Sequence, residues 1–130
     1  MLIKAKVFKE LGVPSVLIKG GHWDYPKGYC IDYGAYQGEE YWLGNKVINT
    51  PHSHGTGCSF ASSVAANLAK DYPLKDAFIL AKAYINQGLK HAERFGQGIG
   101  PVAHCGFPQD INDCPVGIEA DSWLGKELDL

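Results

Sequence analysis

The residues best suited to chemistry are Gly55-Thr56-Gly57-Cys58, where a short extended run gives way to an amphipathic helical pattern. Two glycines let a backbone approach a ligand without β-carbons in the way. The first turn of the helix that follows leaves N–H groups unpaired and aimed back into the loop, and the helix dipole makes that end positive. Together these form a ready anion site, suited to a phosphate. Cys58 falls at the positive end, where thiols ionise more readily and can act as thiolates. The same four residues also read as a glycine-rich turn before a helix that opens on a buried cysteine. Spacing alone does not choose between the two. No Gly-Lys-Ser/Thr follows, so this is not a Walker A loop.

Other residue types invite chemistry and carry blander readings beside it. Lys19 closes the apolar run Ser15-Val16-Leu17-Ile18 within Lys19-Gly20-Gly21-His22, and a lysine there can simply end a strand. Lys82 lies beside the apolar stripe of a helix, where a solvated surface lysine is the default. His52 and His54 stand near Cys58, but three ligands within seven residues and no remote fourth make a poor structural zinc site, so no metal site is expected. Gly96-Gln97-Gly98-Ile99-Gly100 imitates a dinucleotide fingerprint, yet it follows a helix instead of leading from a strand into one.

The elements that must position these residues follow from periodicity. Ile3, Val7, Phe8 and Leu11 lie close to a helical stripe stopped by Gly12 and Pro14, and residues 15–18 read as a short buried strand. Residues 29–33 and 40–43 are aromatic-rich and flank Gly34 to Glu39, which predicts a hairpin; Lys46-Val47-Ile48 reads as a third extended piece. Cys58, Ala61, Ala65 and Leu68 recur at helical spacing. So do Leu74, Ala77, Phe78, Ala81, Ile85, Leu89 and Ala92, with Pro73 at the start and Gly96 expected at the end. Helix, turn, strand and hairpin in this order point to a layered α/β protein.

Composition agrees with a globular chain. It has 130 residues, 45% hydrophobic and 20% charged, with a formal net charge of -2, which argues against a nucleic-acid or anionic-membrane surface. No apolar run approaches the ~20 residues that span a bilayer, and the start lacks the apolar region of a signal peptide. Four cysteines without a CxxC pair suggest reduced thiols, hence a cytoplasmic location. Residues 107–130 hold six acidic side chains against one lysine, which reads as an acidic tail or linker after a domain at 1–106.

Four stretches, in order, resemble the hydroxymethylpyrimidine/phosphomethylpyrimidine kinases, thiamin-pathway members of the ribokinase-like kinases. They are Val16 to His22 ending Lys-Gly-Gly-His, Asn49-Thr50 through His54 to Cys58, Ala81-Lys82-Ala83-Tyr84, and Gly96-Gln97-Gly98-Ile99-Gly100-Pro101-Val102. The similarity covers roughly residues 2–106. Pro51-His52, inserted ahead of the loop, departs from the family pattern. The family's opening Asp-Pro-Ser-Gly-Gly-Ala-Gly stretch does not occur here.

The resemblance implies the C-terminal, nucleotide-binding half of a three-layer α/β ribokinase-like fold, with a mostly parallel sheet, flanking helices and a β-hairpin. It implies ATP and Mg2+ as cofactors and a small pyrimidine as substrate. Cys58 would be the catalytic base, and the backbone of Gly55 and Gly57 would stabilise the transferring phosphoryl group. Lys19, Thr56 and Lys82 would bind the nucleotide. Implied partners are an N-terminal half or a fused thiamin-phosphate synthase domain, whose junction His104-Cys105-Gly106-Phe107-Pro108 resembles. The apolar side chains Val7, Phe8, Val16 and Ile18 would face elements carried elsewhere, so a homo-oligomer is expected. The alternatives are a non-catalytic nucleotide- or phosphate-binding fragment that needs a partner chain, and a pyridoxine-type vitamin kinase.

Overall fold

The computed structural model describes residues 1–21, 27–106 and 117–119. The elements run α1 (Leu2–Glu10), β1 (Ser15–Ile18), β2 (Tyr29–Tyr36), β3 (Glu39–Lys46), α2 (Thr56–Leu68), α3 (Leu74–Lys90) and β4 (Gly117–Glu119). They divide into two compact units, Met1–Val47 with Gly117–Leu130, and Ile48–Val116.

The first unit is a four-stranded sheet in the order β1-β2-β3-β4 with α1 beside it. Its backbone is the β2–β3 hairpin, paired from Tyr29↔Lys46 to Tyr36↔Glu39. Gln37 (φ 50) and Gly38 (φ 86) form the two-residue turn, and two positive φ values match the twist of the strands. Ala5, Ile31, Tyr33 and Trp42 form the core cluster, with Met1, Val16, Ile18, Tyr29 and Ala35 packed around it. Tyr33 meets Trp42 edge-on at 4.9 Å between ring centroids. Burial pushes the Tyr33 phenol up to about 12, helped by the charge of Glu40. Burial likewise raises Tyr41 to about 12, with Glu39 contributing.

Several expectations are corrected here. The α/β class stands, but among the described residues the sheet is antiparallel throughout, not mostly parallel. Parallel neighbours need crossovers of a dozen or more residues, and the connections β1–β2 and β2–β3 are shorter than that. The hairpin connection is two residues, not Gly34 to Glu39, because Gly34 lies inside β2 opposite Tyr41, whose ring covers it. Lys46 ends β3 instead of opening a third piece, and Val47 only adds one bond, its N–H donating to the Gly28 carbonyl at 2.9 Å. β1 is half-buried along its length, not buried. On α1 only Ala5 is buried, while Ile3, Val7 and Leu11 are 83%, 50% and 73% exposed.

The second unit is built on α2 and α3. Phe60 and Phe78 stack between them at 6.4 Å, with planes 19° apart. The sequence stripe of α2 is its exposed side: Cys58, Ala61, Ala65 and Leu68 face out, while Phe60 and Asn67 are buried. Phe60 is the bulkiest side chain of that helix, so its burial sets the helix rotation. The α3 stripe is as expected, with Ala77, Phe78, Ala81 and Ile85 buried, but the helix ends at Lys90, well before Gly96. Among the described residues no helix is long and apolar enough to cross a membrane. Most of the acidic segment at 107–130 lies outside the described residues, as does His22; Gly117–Glu119 pairs with β3.

Candidate functional site

The loop begins with a segment held on one side. The His54 N–H donates to the Gly100 carbonyl at 3.2 Å and the Val102 N–H to the His54 carbonyl at 2.9 Å, a parallel bridge between His54 and Pro101. The Ala103 N–H then reaches the Gly88 carbonyl of α3 at 3.1 Å. Residues 100–103 are therefore fixed between the approach to the loop and the last turn of α3. This brings the glycine-rich 96–102 stretch against the 52–58 stretch, two of the sequence motifs.

Gly55 is the N-cap of α2 at φ 86, the left-handed region that glycine adopts without a β-carbon clash. Its carbonyl accepts from the Ser59 N–H at 2.9 Å, the first bond of the helix. The Thr56 N–H donates back to the Ser53 carbonyl at 3.3 Å. No side chain caps α2. Among the described residues, the N–H groups of Gly57 and Cys58 have no acceptor. Two adjacent donors at a helix N-terminus are thus available to an anion. A β-carbon at Gly57 would meet nothing within 4 Å, and Gly57 and Cys58 are both exposed. Cys58 is an exposed free thiol, not the buried cysteine of the blander reading.

Lys82 belongs to the same unit and is 4% exposed on the buried face of α3, one turn before Asn86. The solvated-surface expectation for this lysine does not hold. A buried ammonium is costly without partners, so its place in the core calls for a compensating anion or hydrogen bonds. Lys19 belongs to the other unit and is exposed at the end of β1. The adjacent Gly20 N–H donates to Asp32 Oδ1 at 2.9 Å, and Asp32 is 1% exposed. Asp32 thus anchors the turn that carries Lys19. Sequence reading passed over Asp32; an acidic residue between Ile31 and Tyr33 in an aromatic strand was the available signal. His52, which the sequence offered only as a weak metal ligand, instead takes the Gly100 N–H on Nδ1 at 3.0 Å.

Comparison with known proteins places this geometry among relatives. A family model described as phosphomethylpyrimidine kinase matches residues 1–103. The hydroxymethylpyrimidine/phosphomethylpyrimidine kinase of Haemophilus influenzae is 38% identical over 105 residues, 79% of this chain and 39% of that protein. The thiamine biosynthesis bifunctional protein ThiED of Geobacter sulfurreducens is 35% identical over 111 residues, 84% of this chain and 22% of its own. The pyridoxal kinase of Staphylococcus aureus, solved in complex with AMP-PCP and pyridoxal, matches with a TM-score of 0.78 at 29% identity. That match covers 88% of this chain and 42% of the other. The chain therefore spans less than half the length of these relatives.

Proposed function

Because this chain belongs to the phosphomethylpyrimidine kinase family, we propose that it supplies the nucleotide-binding half of an enzyme phosphorylating hydroxymethylpyrimidine and its monophosphate with ATP. Its fold is the matching part of an α/β, ribokinase-like domain. The observation that carries the proposal is the pair of open N–H donors at Gly57 and Cys58, on a loop inside the matched span.

In the first phosphorylation the substrate hydroxymethyl oxygen attacks the γ-phosphorus as its proton passes to Cys58 Sγ. The bond from that phosphorus to the β–γ bridging oxygen breaks, and ADP leaves. In the second, a phosphate oxygen of the monophosphate is the attacking atom. The Gly57 and Cys58 N–H groups stabilise charge spreading over the transferring oxygens, with the Gly55 turn holding them in place. Lys82 contributes a cation to the ATP phosphates and Thr56 a contact from the loop; Lys19 is a nucleotide-binding residue by family resemblance alone. Mg2+, brought in on the nucleotide, would supply neutralisation of the phosphate charge.

The proposed partners are a pyrimidine substrate and the polypeptide carrying the remainder of the kinase. Self-association of the chain and a fused thiamin-phosphate synthase domain complete the proposed set; one relative is a bifunctional thiamine biosynthesis protein, which supports a fused domain. The proposed location is the cytoplasm. The likeness to pyridoxal kinase favours a second reading, a pyridoxine-type kinase on the same scaffold.

The test is an ATP-dependent phosphorylation assay on hydroxymethylpyrimidine, its monophosphate and pyridoxine, with and without an added N-terminal half of the family. Turnover of the two pyrimidines supports the proposal. Turnover of pyridoxine alone establishes the second reading, and nucleotide binding without any turnover reduces the chain to a binding fragment.

A further inference from the structure

His52 stands just ahead of the anion loop, and the phosphoryl-transfer steps leave it without a role. Its backbone N–H donates to Thr50 Oγ1 at 3.2 Å, which fixes the start of the side chain. Its ring reaches across to the glycine stretch, where Nδ1 accepts the Gly100 N–H at 3.0 Å. A backbone N–H can only donate, so Nδ1 carries the lone pair and the ring proton sits on Nε2. Gly100 is buried, and a β-carbon there would lie 2.7 Å from His52 Nδ1 and 2.8 Å from the Glu93 carbonyl. Glycine at 100 is what lets the imidazole approach the backbone.

Two residues along, the His54–Pro101 bridge repeats the tie through the main chain. Gly55 follows His54 directly. The orientation of the open Gly57 and Cys58 donors is thus set by a short ladder whose outermost rung is the His52 side chain. We propose that His52 is a positioning residue: by accepting the Gly100 N–H it holds the 96–102 stretch against the anion loop and keeps its two free N–H groups aligned for phosphate. This rests on the kinase reading of the loop.

The experiment uses the 15N-labelled chain, with ADP as the probe. Wild type should show a through-hydrogen-bond coupling between the Gly100 nitrogen and His52 Nδ1, and a slowly exchanging Gly100 amide. His52→Leu, which keeps bulk but loses the acceptor, should speed that exchange and weaken ADP binding about tenfold. His52→Asn, whose Oδ1 can stand where Nδ1 stood, should restore both. Should His52→Leu fail to fold, His52→Phe removes the same acceptor with a planar ring in its place and is expected to weaken ADP binding similarly.

An absent coupling, an ADP affinity unchanged in the acceptor-less variants, or no rescue by asparagine would each overturn the proposal. Failure of wild type itself to bind ADP would overturn the kinase reading of the loop, and the positioning role with it.

Discussion

The side chain of Val102 occupies the place that a β-carbon on Gly88 would need, with Cγ2 2.6 Å from that position. Val102 is buried, and its other methyl group lies 3.9 Å from where a β-carbon on Gly55 would stand. One valine thus fits between the last turn of α3 and the N-cap of α2, and it couples the packing of the helix to the anion loop.

Gly88→Ala should therefore destabilise the chain, although alanine favours a helix interior by about 1 kcal/mol. The new methyl would lie 2.5 Å from the Ala103 carbonyl oxygen, a backbone atom that cannot retreat freely while the Ala103 N–H holds the Gly88 carbonyl. Overpacking of this kind costs about 1–3 kcal/mol, so after the helix gain a net loss of up to about 2 kcal/mol is expected in urea unfolding. An increase in stability would show that Val102 does not fill the notch.

Cys58→Ser should leave ADP affinity close to wild type, because the loop's backbone donors remain. Turnover of a kinase reconstituted with this chain should drop by about 10²-fold or more, the usual contribution of a general base. Equal kcat in the two proteins would remove the thiol from the chemistry.

Lys82→Met keeps the length of the side chain and removes its charge from a site that is 4% exposed. A charge-assisted bond to phosphate is worth about 1.5–3 kcal/mol, so ADP should bind roughly 10- to 150-fold more weakly by calorimetry. Unchanged binding would place the lysine outside the nucleotide site.

Tyr33 and Tyr41 give a pH signature. Both phenols are pushed up to about 12 from the ordinary 10. The folded chain holds these protons after the unfolded chain has lost them, so raising the pH favours unfolding across that interval. Stability should be insensitive to these groups below about pH 10 and fall between about 10 and 12. Tyrosinate absorbance during titration, compared with urea midpoints, checks the sign.

The exposed stripe Ile3, Val7 and Leu11 on α1 should make the chain self-associate. Sedimentation at several concentrations should show the mass rising, and Ile3→Lys with Val7→Lys should suppress the rise. A concentration-independent monomer for the unmodified chain would set the homo-oligomer aside.

Much of this molecule was legible because it is local. The aromatic runs at 29–33 and 40–43 that make the hairpin strands and the loop-to-helix step at Gly55 are written within a few residues, although the sequence placed the hairpin connection too wide, at Gly34 to Glu39. Three kinds of information were not. Strand direction depends on connection length, and family resemblance suggested parallel pairing where short connections impose antiparallel. The rotation of α2 depends on what Phe60 meets, which helical spacing of Cys58, Ala61 and Ala65 could not reveal. Local supports, Asp32 under Gly20 in the first unit and His52 on Gly100 and Val102 against Gly88 in the second, join residues 12 and 48 positions apart in the two hydrogen-bonded cases. Only the fold brings such pairs together.

The strand order β1-β2-β3-β4 also has a consequence for synthesis. On the ribosome β1 to β3 can pair as they emerge, but the outer edge of β3 waits for Gly117–Glu119. Residues 47–116 are made in between, which at ~5–20 residues per second is about 4–14 s. Throughout that interval a nascent chain presents Trp42-Leu43-Gly44 as an unpaired strand edge, open to the same segment of a neighbouring nascent chain.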